Sequence, residues 1–410
     1  IGVSYMNEDI FQREAAAVLP IYKRLPVVFE RGEGCYLYDS AGKRYLDLVA
    51  GVAVNTLGHC HPEWVQAVAK QAATLIHTSN LYYTTPMVRL AEKLILISGM
   101  ARAFFCNSGT EANEAAIKVA RKWGKLTRGA ECYKIVSFEN GFHGRTLGAL
   151  SATASRKYCE PFTPLVPGFV QIPVGDSALL DRTLTKDVCA VIIETIQGEA
   201  GVRAVNPNFI KELRKLCDER DILMIIDEVQ TGIGRTGKWF GYQQCDVLPD
   251  LAPLAKGLGG GYPIGALLVG NKASEVLVPG DHGSTFAGSP LATTAAETVL
   301  RVIEEQGLLD NVNVSGELLA AGLSDLHKKF PELIAETRGV GLMRALDFKQ
   351  PIAREFVIAA LMQGLVLNAT SDTTLRLVPP LIIGSVEIAE ALDLLDRCCR
   401  ATSPSSVRHS

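Results

Sequence analysis

Apolar residues fall along this chain in short, nearly unbroken runs separated by longer stretches of helical period. The runs "ARAFFCN" (Ala101 to Asn107), "CYKIVSF" (Cys132 to Phe138), "VCAVIIET" (Val188 to Thr195), "ILMIIDE" (Ile222 to Glu228) and "LAPLA" (251–255) have the texture of strands buried on both faces. Among the segments of helical period are "PEWVQAVAKQAATLI" (Pro62 to Ile76), "GTEANEAAIKVARKWGK" (109–125) and "NPNFIKELRKLCDERD" (206–221). The first and last carry proline in the first turn, and Asn206 is placed to cap the last. Strand and helix in alternation predict an α/β protein with a parallel sheet covered on both faces. After Leu291 the pattern changes to long amphipathic helices, then a few short strands, then a final helix near Glu387 to Cys399. The expected organisation is an N-terminal arm (1–55), a large α/β domain (56–306) and a small C-terminal α+β domain (307–410), the arm packing with the small domain.

Length agrees with this division, since 410 residues exceed the usual span of one hydrophobic core. A net charge of −3 offers no basic field for nucleic acid. No run of ~18 apolar residues suggests a membrane span. The ten cysteines form no C-x-x-C pair and several sit in apolar runs, which points to free thiols in a reducing compartment. A cytoplasmic location is expected, or a plastid or mitochondrial matrix for a chain that has lost a transit peptide. In "GHCHP", His59 and His61 flank Cys60. No second cluster completes a ligand set, so a tight turn is expected there and no metal.

In open α/β sheets, ligands sit at the carboxyl ends of the strands, so polar residues that break the apolar pattern there are candidates. "GLGGGYPIG" fails the dinucleotide fingerprint, with Tyr262 where glycine is required, and "GIGRTGKW" lacks the P-loop hydroxyl, having Trp239 instead. "CNSGTEANEAA" is a strand end, a Ser-Gly-Thr turn and a helix start. Its free N–H groups and hydroxyls can bind an anion, with Ser108 or Thr110 as the cap. Asp227 ends the strand "ILMIID" and could face a cation. Lys256 stands alone in "PLAKGLGGGYPIGALLVGN", where an apolar setting would lower its pKa and leave a nucleophilic amine. Phosphate cradle, carboxylate and lysine together suit pyridoxal 5'-phosphate, with Phe142 or His143 available to cover the ring.

Six motifs, "NSGTEANEAAIKVAR", "FHGRT", "IQGEAGV", "DEVQTGIGRTG", "AKGLGGGYPIGA" and "HGSTFAGSP", occur in the order found in class III (ω-amino-acid) aminotransferases of the fold-type I pyridoxal phosphate family. The chain resembles that family from about Pro20 to its last helix. The resemblance implies that Lys256 carries the cofactor and shuttles protons and that Asp227 pairs with its ring nitrogen. It implies Val229 behind the ring, Gln230 near the ring hydroxyl, Phe142 stacked on it with His143 close by, and Ser108, Gly109 and Thr110 at the phosphate. Thr285 would reach the phosphate of a partner subunit, making a homodimer with shared sites. Arg376 would bind the carboxylate next to glutamate's reacting carbon, Glu199 would be its removable counter-ion, and Arg145 would bind the distal carboxylate. Asn80 and Ser284 join the substrate-binding set. The implied reaction moves the terminal amino group of N-acetylornithine to 2-oxoglutarate. Rival ω-amines are ornithine, succinylornithine, 4-aminobutyrate and carrier-linked lysine analogues. Thr195 replaces a usual proline, and Ala287 and Ser289 depart from "STFGGNP". No tyrosine stands in "VAGVAVNTLGHCHP", where ornithine-specific members usually have one, and this favours an acylated α-nitrogen.

Overall fold

A computed structural model describes residues 2–402. A helix, Gly2–Ala17, leads into a meander of three antiparallel strands, β1 (Phe29–Glu33), β2 (Tyr36–Asp39) and β3 (Arg44–Asp47). The central sheet then collects β4 (Arg102–Cys106), β5 (Lys134–Phe138), β6 (Phe169–Ile172) and β7 (Val188–Ile193). A small flap of β8 (Ile196–Gln197) and β9 (Arg203–Ala204) intervenes before β10 (Leu223–Ile226), β11 (Leu251–Leu254) and β12 (Gly265–Val269) complete it.

The order across the sheet is β4-β12-β11-β10-β7-β5-β6. Only β12 runs against its neighbours, because the chain turns straight back after β11 instead of crossing over through a helix. That return loop begins at Lys256. Every residue of β7, β10, β11 and β12 is buried, as continuous apolar runs predict for a doubly covered sheet. The helix Gly109–Arg128 lies close on one face because it presents Ala112, Ala115, Ala116 and Ala120, all fully buried, beside Ile117 and Trp123.

The carboxyl ends of the parallel strands converge on one edge. There β4 delivers Asn107 and Ser108, β5 the loop to Arg145, β7 Glu194, β10 Asp227 and β11 Lys256.

Two helices, Pro290–Glu305 and Leu308–Lys329, precede β13 (Ile334–Val340), β14 (Met343–Phe348), β15 (Leu365–Val366), β16 (Asn368–Ala369) and β17 (Thr374–Leu377). Four of these form an antiparallel sheet, β13-β14-β17-β16, while β15 pairs in parallel with β3. The N-terminal meander and the C-terminal region therefore share one sheet.

Two helix ends differ from the sequence pattern. The helix from Pro62 stops at Ala72 rather than near Ile76, where Thr74 N–H bonds to the Gln71 carbonyl and Thr74 Oγ1 back-bonds to Lys70. The last helix spans Ser385–Thr402, its start fixed by the Glu387 carboxylate accepting from Gly384 N–H at 3.1 Å. In "GHCHP", Cys60 adopts φ 54° in a turn and His59 Nε2 meets Asp47 Oδ2 at 2.8 Å, tying that turn to the arm. Among the described residues, no helix is long and apolar enough to cross a membrane.

Candidate active site

A cavity of about 590 Å³ opens at the converging strand ends. That is room for a cofactor and a small substrate together. Its floor is Asp227, 3 % exposed. His143 Nδ1 and Asn113 Nδ2 both bond to Asp227 Oδ2 at 2.8 Å, and Val229 N–H bonds to Oδ1 at 3.0 Å. Asn113 also donates to the His143 carbonyl at 2.7 Å, locking the two together. His143 is 2 % exposed. Burial alone would lower its pKa, but the hydrogen bond and charge of Asp227 prevail and raise it. Of the two residues the sequence offered as a ring cover, His143 is thus committed to the carboxylate beneath. Phe142 lines the cavity, with the Tyr158 ring edge-on to it at 6.2 Å.

Lys256 lies on the cavity wall with φ 41°, in the left-handed region that non-glycine residues seldom occupy. The next carbonyl, Gly257, accepts from Thr56 Oγ1 at 2.8 Å. Thr56 follows another unusual feature, a left-handed turn in which Ala50, Gly51, Val52 and Ala53 have φ 50°, 63°, 66° and 63°. Such backbone persists only where its surroundings hold it, and here Asp47 Oδ1 accepts the N–H groups of Val49 and Ala50. The Lys256 amine makes no hydrogen bond or ion pair with a described residue. Burial lowers its pKa, the Arg376 charge lowers it further, and Glu199, Glu194 and Asp227 oppose both.

The helix Gly109–Arg128 points its first turn into the cavity. Ser108 is the cap, accepting from Glu111 N–H at 3.3 Å, while the Glu111 carboxylate reaches back to Asn107 N–H at 2.7 Å. Gly109 and Thr110 N–H have no acceptor among the described residues and meet the positive end of the helix dipole. A Cβ on Gly109 would stand 2.7 Å from Val229 Cγ1, so only glycine lets this backbone approach the wall. The Thr110 hydroxyl is engaged: it meets Thr146 Oγ1 at 2.8 Å, and Thr146 donates to Glu114. Thr110 offers the cavity its N–H rather than this proton.

The gate lies at one side. Arg376 Nη1 donates to Glu199 Oε1 at 2.5 Å and to Gln230 Oε1 at 3.2 Å, and Nη2 donates to Asn368 Oδ1 at 2.8 Å. Gln230, expected at a ring hydroxyl, bonds to Arg376 here. The Arg376 side chain is 2 % exposed and that of Glu199 33 %. Burial would raise the Glu199 pKa, but Arg376 overrides it and holds the carboxyl below its ordinary range.

At the mouth, the exposed Arg145 guanidinium lies 3.7 Å from the Tyr158 ring centroid and 5.5 Å from that of Phe142. Tyr22 and Val54 complete this side. Tyr22 is a tyrosine the sequence reading did not bring to the site, supplied by the arm rather than by the "VAGVAVN" segment.

Arg376 stands behind the cavity lining and reaches it through Glu199 and Gln230, and three other predicted residues do not line it either. Asn80 Nδ2 donates to the Ala287 carbonyl at 3.0 Å, in a neighbouring hollow with His77 and Met87. Ser284 Oγ accepts from Asn107 Nδ2 at 3.0 Å, just behind the rim. Thr285 is exposed on a turn. Sequence reasoning in turn missed Asn113 and Glu194. Each carried a signal: Asn113 is polar on the buried alanine stripe of its helix, and Glu194 ends an apolar strand run as Asp227 does.

A lone, neutralisable lysine opposite a pinned carboxylate, at the ligand edge of a mostly parallel sheet, defines a pyridoxal phosphate enzyme. Residues 19–399 match the family model for class-III aminotransferases. The chain is 48% identical over 383 residues to the acetylornithine aminotransferase of Caldanaerobacter subterraneus subsp. tengcongensis, covering 93% of this chain and 97% of that one. Among solved structures, N-acetylornithine aminotransferase from Stenotrophomonas maltophilia superposes with a TM-score of 0.83 at 37% identity, over 95% of this chain and 98% of that one. Ornithine aminotransferase from Toxoplasma gondii gives 0.93 at 32% identity, over 96% and 95%. The chain belongs to the class III aminotransferase family, of fold type I, and its cofactor is pyridoxal 5'-phosphate.

The donor set fits that group. A carboxylate offers about four lone-pair sites. Three on Asp227 are taken, which leaves one for a cationic ring N–H. The two free N–H groups at Gly109 and Thr110 suit a phosphate.

Proposed function

We propose that the protein transfers the terminal amino group of N-acetylornithine to 2-oxoglutarate, giving N-acetylglutamate semialdehyde and glutamate, a step of arginine synthesis. The names of the relatives support the substrate, and the Glu199–Arg376 pair beside Lys256 is the observation that carries the two-substrate chemistry. When bound, pyridoxal phosphate accepts the electron pair left on a substrate carbon after its proton is removed.

Lys256 Nζ takes that proton and returns it on the other side of the transfer, a task that suits an amine whose pKa is lowered by burial. Asp227, held in place by donors on His143, Asn113 and Val229, would face the ring nitrogen. Phe142 and Val229, both on the cavity lining, would hold the ring between apolar surfaces, and Gly109 and Thr110 N–H, with Ser108 close by, would hold the phosphate.

The terminal carbon of acetylornithine has no adjacent carboxylate, whereas that of glutamate does. Removing the counter-ion of an arginine as buried as Arg376 is costly, because its charge is left without a partner. With the ω-amine, Glu199 therefore stays on Arg376. With glutamate, the substrate's own carboxylate replaces Glu199 and offsets that cost. Arg145 takes the distal carboxylate of either substrate, where its planar fork binds both oxygens.

The homodimer belongs to this proposal. Exposed Phe286, Leu81, Tyr82 and Tyr83 cluster in the two loops that carry Thr285, Ser284 and Asn80. These loops would pack on a second copy, with Thr285 at its phosphate and Asn80 and Ser284 at its substrate. The division into arm, large domain and small domain is part of the same reading. Ten free cysteines suit a reducing compartment such as the cytoplasm.

The test is a comparison of kcat/KM for acetylornithine, ornithine and 4-aminobutyrate with 2-oxoglutarate as acceptor. Acetylornithine is expected to lead by at least about tenfold, one or two hydrogen bonds to its acyl group being enough for that. Free ornithine leading by the same margin would overturn the substrate assignment, and Tyr22 would be the first residue to re-examine.

A further inference from the structure

Glu194 is an acid on the cavity wall that the chemistry above does not use. It follows β7 directly and is 6 % exposed. Among the described residues, no arginine or lysine forms an ion pair with it. Its Oε2 accepts from Phe142 N–H at 3.0 Å and its Oε1 from Gly198 N–H at 3.4 Å. Those two N–H groups belong to different parts of the site. Phe142 is the ring cover. Gly198 precedes Glu199 and backs directly on the gate, since a Cβ there would stand 2.3 Å from Gln230 Oε1, the atom that accepts from Arg376.

We propose that Glu194 is a positioning residue that ties the ring cover at Phe142 to the Glu199–Arg376 gate, by accepting one backbone N–H from each on its two carboxylate oxygens. The proposal rests on the aminotransferase reading above and names a further residue of the same site.

The chemistry explains why an acid stands there. A carboxylate is the only side chain that accepts two backbone N–H groups without presenting a donor of its own. Keeping it costs desolvation: burial pushes its carboxyl up to about 7, the His143 charge pulls the other way and Asp227 adds to the rise. A buried acid with a raised pKa in a cofactor cleft is a candidate for a functional role. It also adds a negative charge near Lys256, where it helps the amine hold a proton.

The test uses the holoenzyme and two variants, Glu194→Gln and Glu194→Asp. The first keeps the size but presents an NH2 group to one of the N–H donors and removes the charge. The second keeps the charge but is one methylene too short to reach both. Two quantities are read: KM for glutamate and for acetylornithine, and the pH midpoint of the bound cofactor's visible absorbance. Both variants are expected to raise KM for glutamate about tenfold, because each loses one charge-assisted bond. Only Glu194→Gln is expected to move the midpoint, downward, because one anion near the amine is gone. If Glu194→Gln does not fold, Glu194→Asp carries the KM test alone. Parental KM values in the folded variants would overturn the proposal. So would a shifted midpoint with unchanged KM, since Glu194 would then act by charge only. A parent protein that binds no cofactor would instead overturn the aminotransferase reading, whatever the variants do.

Discussion

Two charged clusters share one cavity and are built in opposite ways. At the floor, Asp227 receives three hydrogen bonds, two of them from the buried side chains of His143 and Asn113, and Asn113 also donates to the His143 carbonyl. At the gate, Arg376 is pinned just as firmly by Asn368 and Gln230, yet a third of its counter-ion's side chain is open to solvent. The difference separates two jobs. A charge that must serve every turnover is locked. On the proposed mechanism, a charge that must yield to one substrate and stay for the other is given a buried arginine and a counter-ion partly open to solvent. Burial of both partners would make the pair too costly to break, and exposure of both would make it too weak to matter.

The largest expected effect comes from the wall between the two clusters. Lys256→Ala is predicted to abolish turnover of both substrates, a loss of more than about 10³-fold, and to change the visible absorbance of the bound cofactor. A variant that retains a tenth of the parent's rate would remove Lys256 from the chemistry. Next, Asp227→Asn breaks the floor. It should lower kcat by about 10²–10³-fold, the scale for removing a preorganised charge, and equally with acetylornithine and glutamate. A loss confined to one substrate, read from separate half-reactions, would contradict the locked floor.

The smallest effect sharpens the gate by pH. Arg376 holds the Glu199 pKa below its ordinary value. A depressed carboxyl pKa means the pair is intact above that value and is lost only as pH falls through it. The gate itself should therefore add no pH dependence to the ratio of acetylornithine to glutamate kcat/KM between about pH 6 and 9, and should open only on further acidification. A change in that ratio near neutrality would point to Glu194 or His143 rather than the gate.

How far the site was readable follows the same division. Asp227 and Lys256 were legible because each interrupts an apolar run at a strand's carboxyl end, where the fold gathers ligands. Glu194 carries the same mark in "VCAVIIET" but was passed over as part of a strand. Asn113 was hidden in a helix whose period describes its packing and not its one polar contact. Glu199 and Arg376 lie 177 residues apart, and no local pattern pairs them. Family resemblance supplied that pair, and the structure gives its geometry. Tyr22 and Asn368 reach the site from the two ends of the chain through long-range folding. Asn80, Ser284 and Thr285 lie outside the cavity, on loops that also carry exposed aromatic residues, and the proposed homodimer is what would bring them to a site. The parallel sheet itself was plain from the alternation, whereas the reversal of β12 was not, because a buried strand reads the same in either direction.

The account turns on Glu199, and single-turnover spectroscopy of Glu199→Ala holoenzyme tests it most directly. The half-reaction with acetylornithine and that with glutamate are timed separately by the change in cofactor absorbance. The prediction is a loss of about tenfold or more with acetylornithine, where the bare Arg376 is left unpaired, and little or no loss with glutamate, which supplies its own carboxylate. Equal losses in the two half-reactions would contradict the gate.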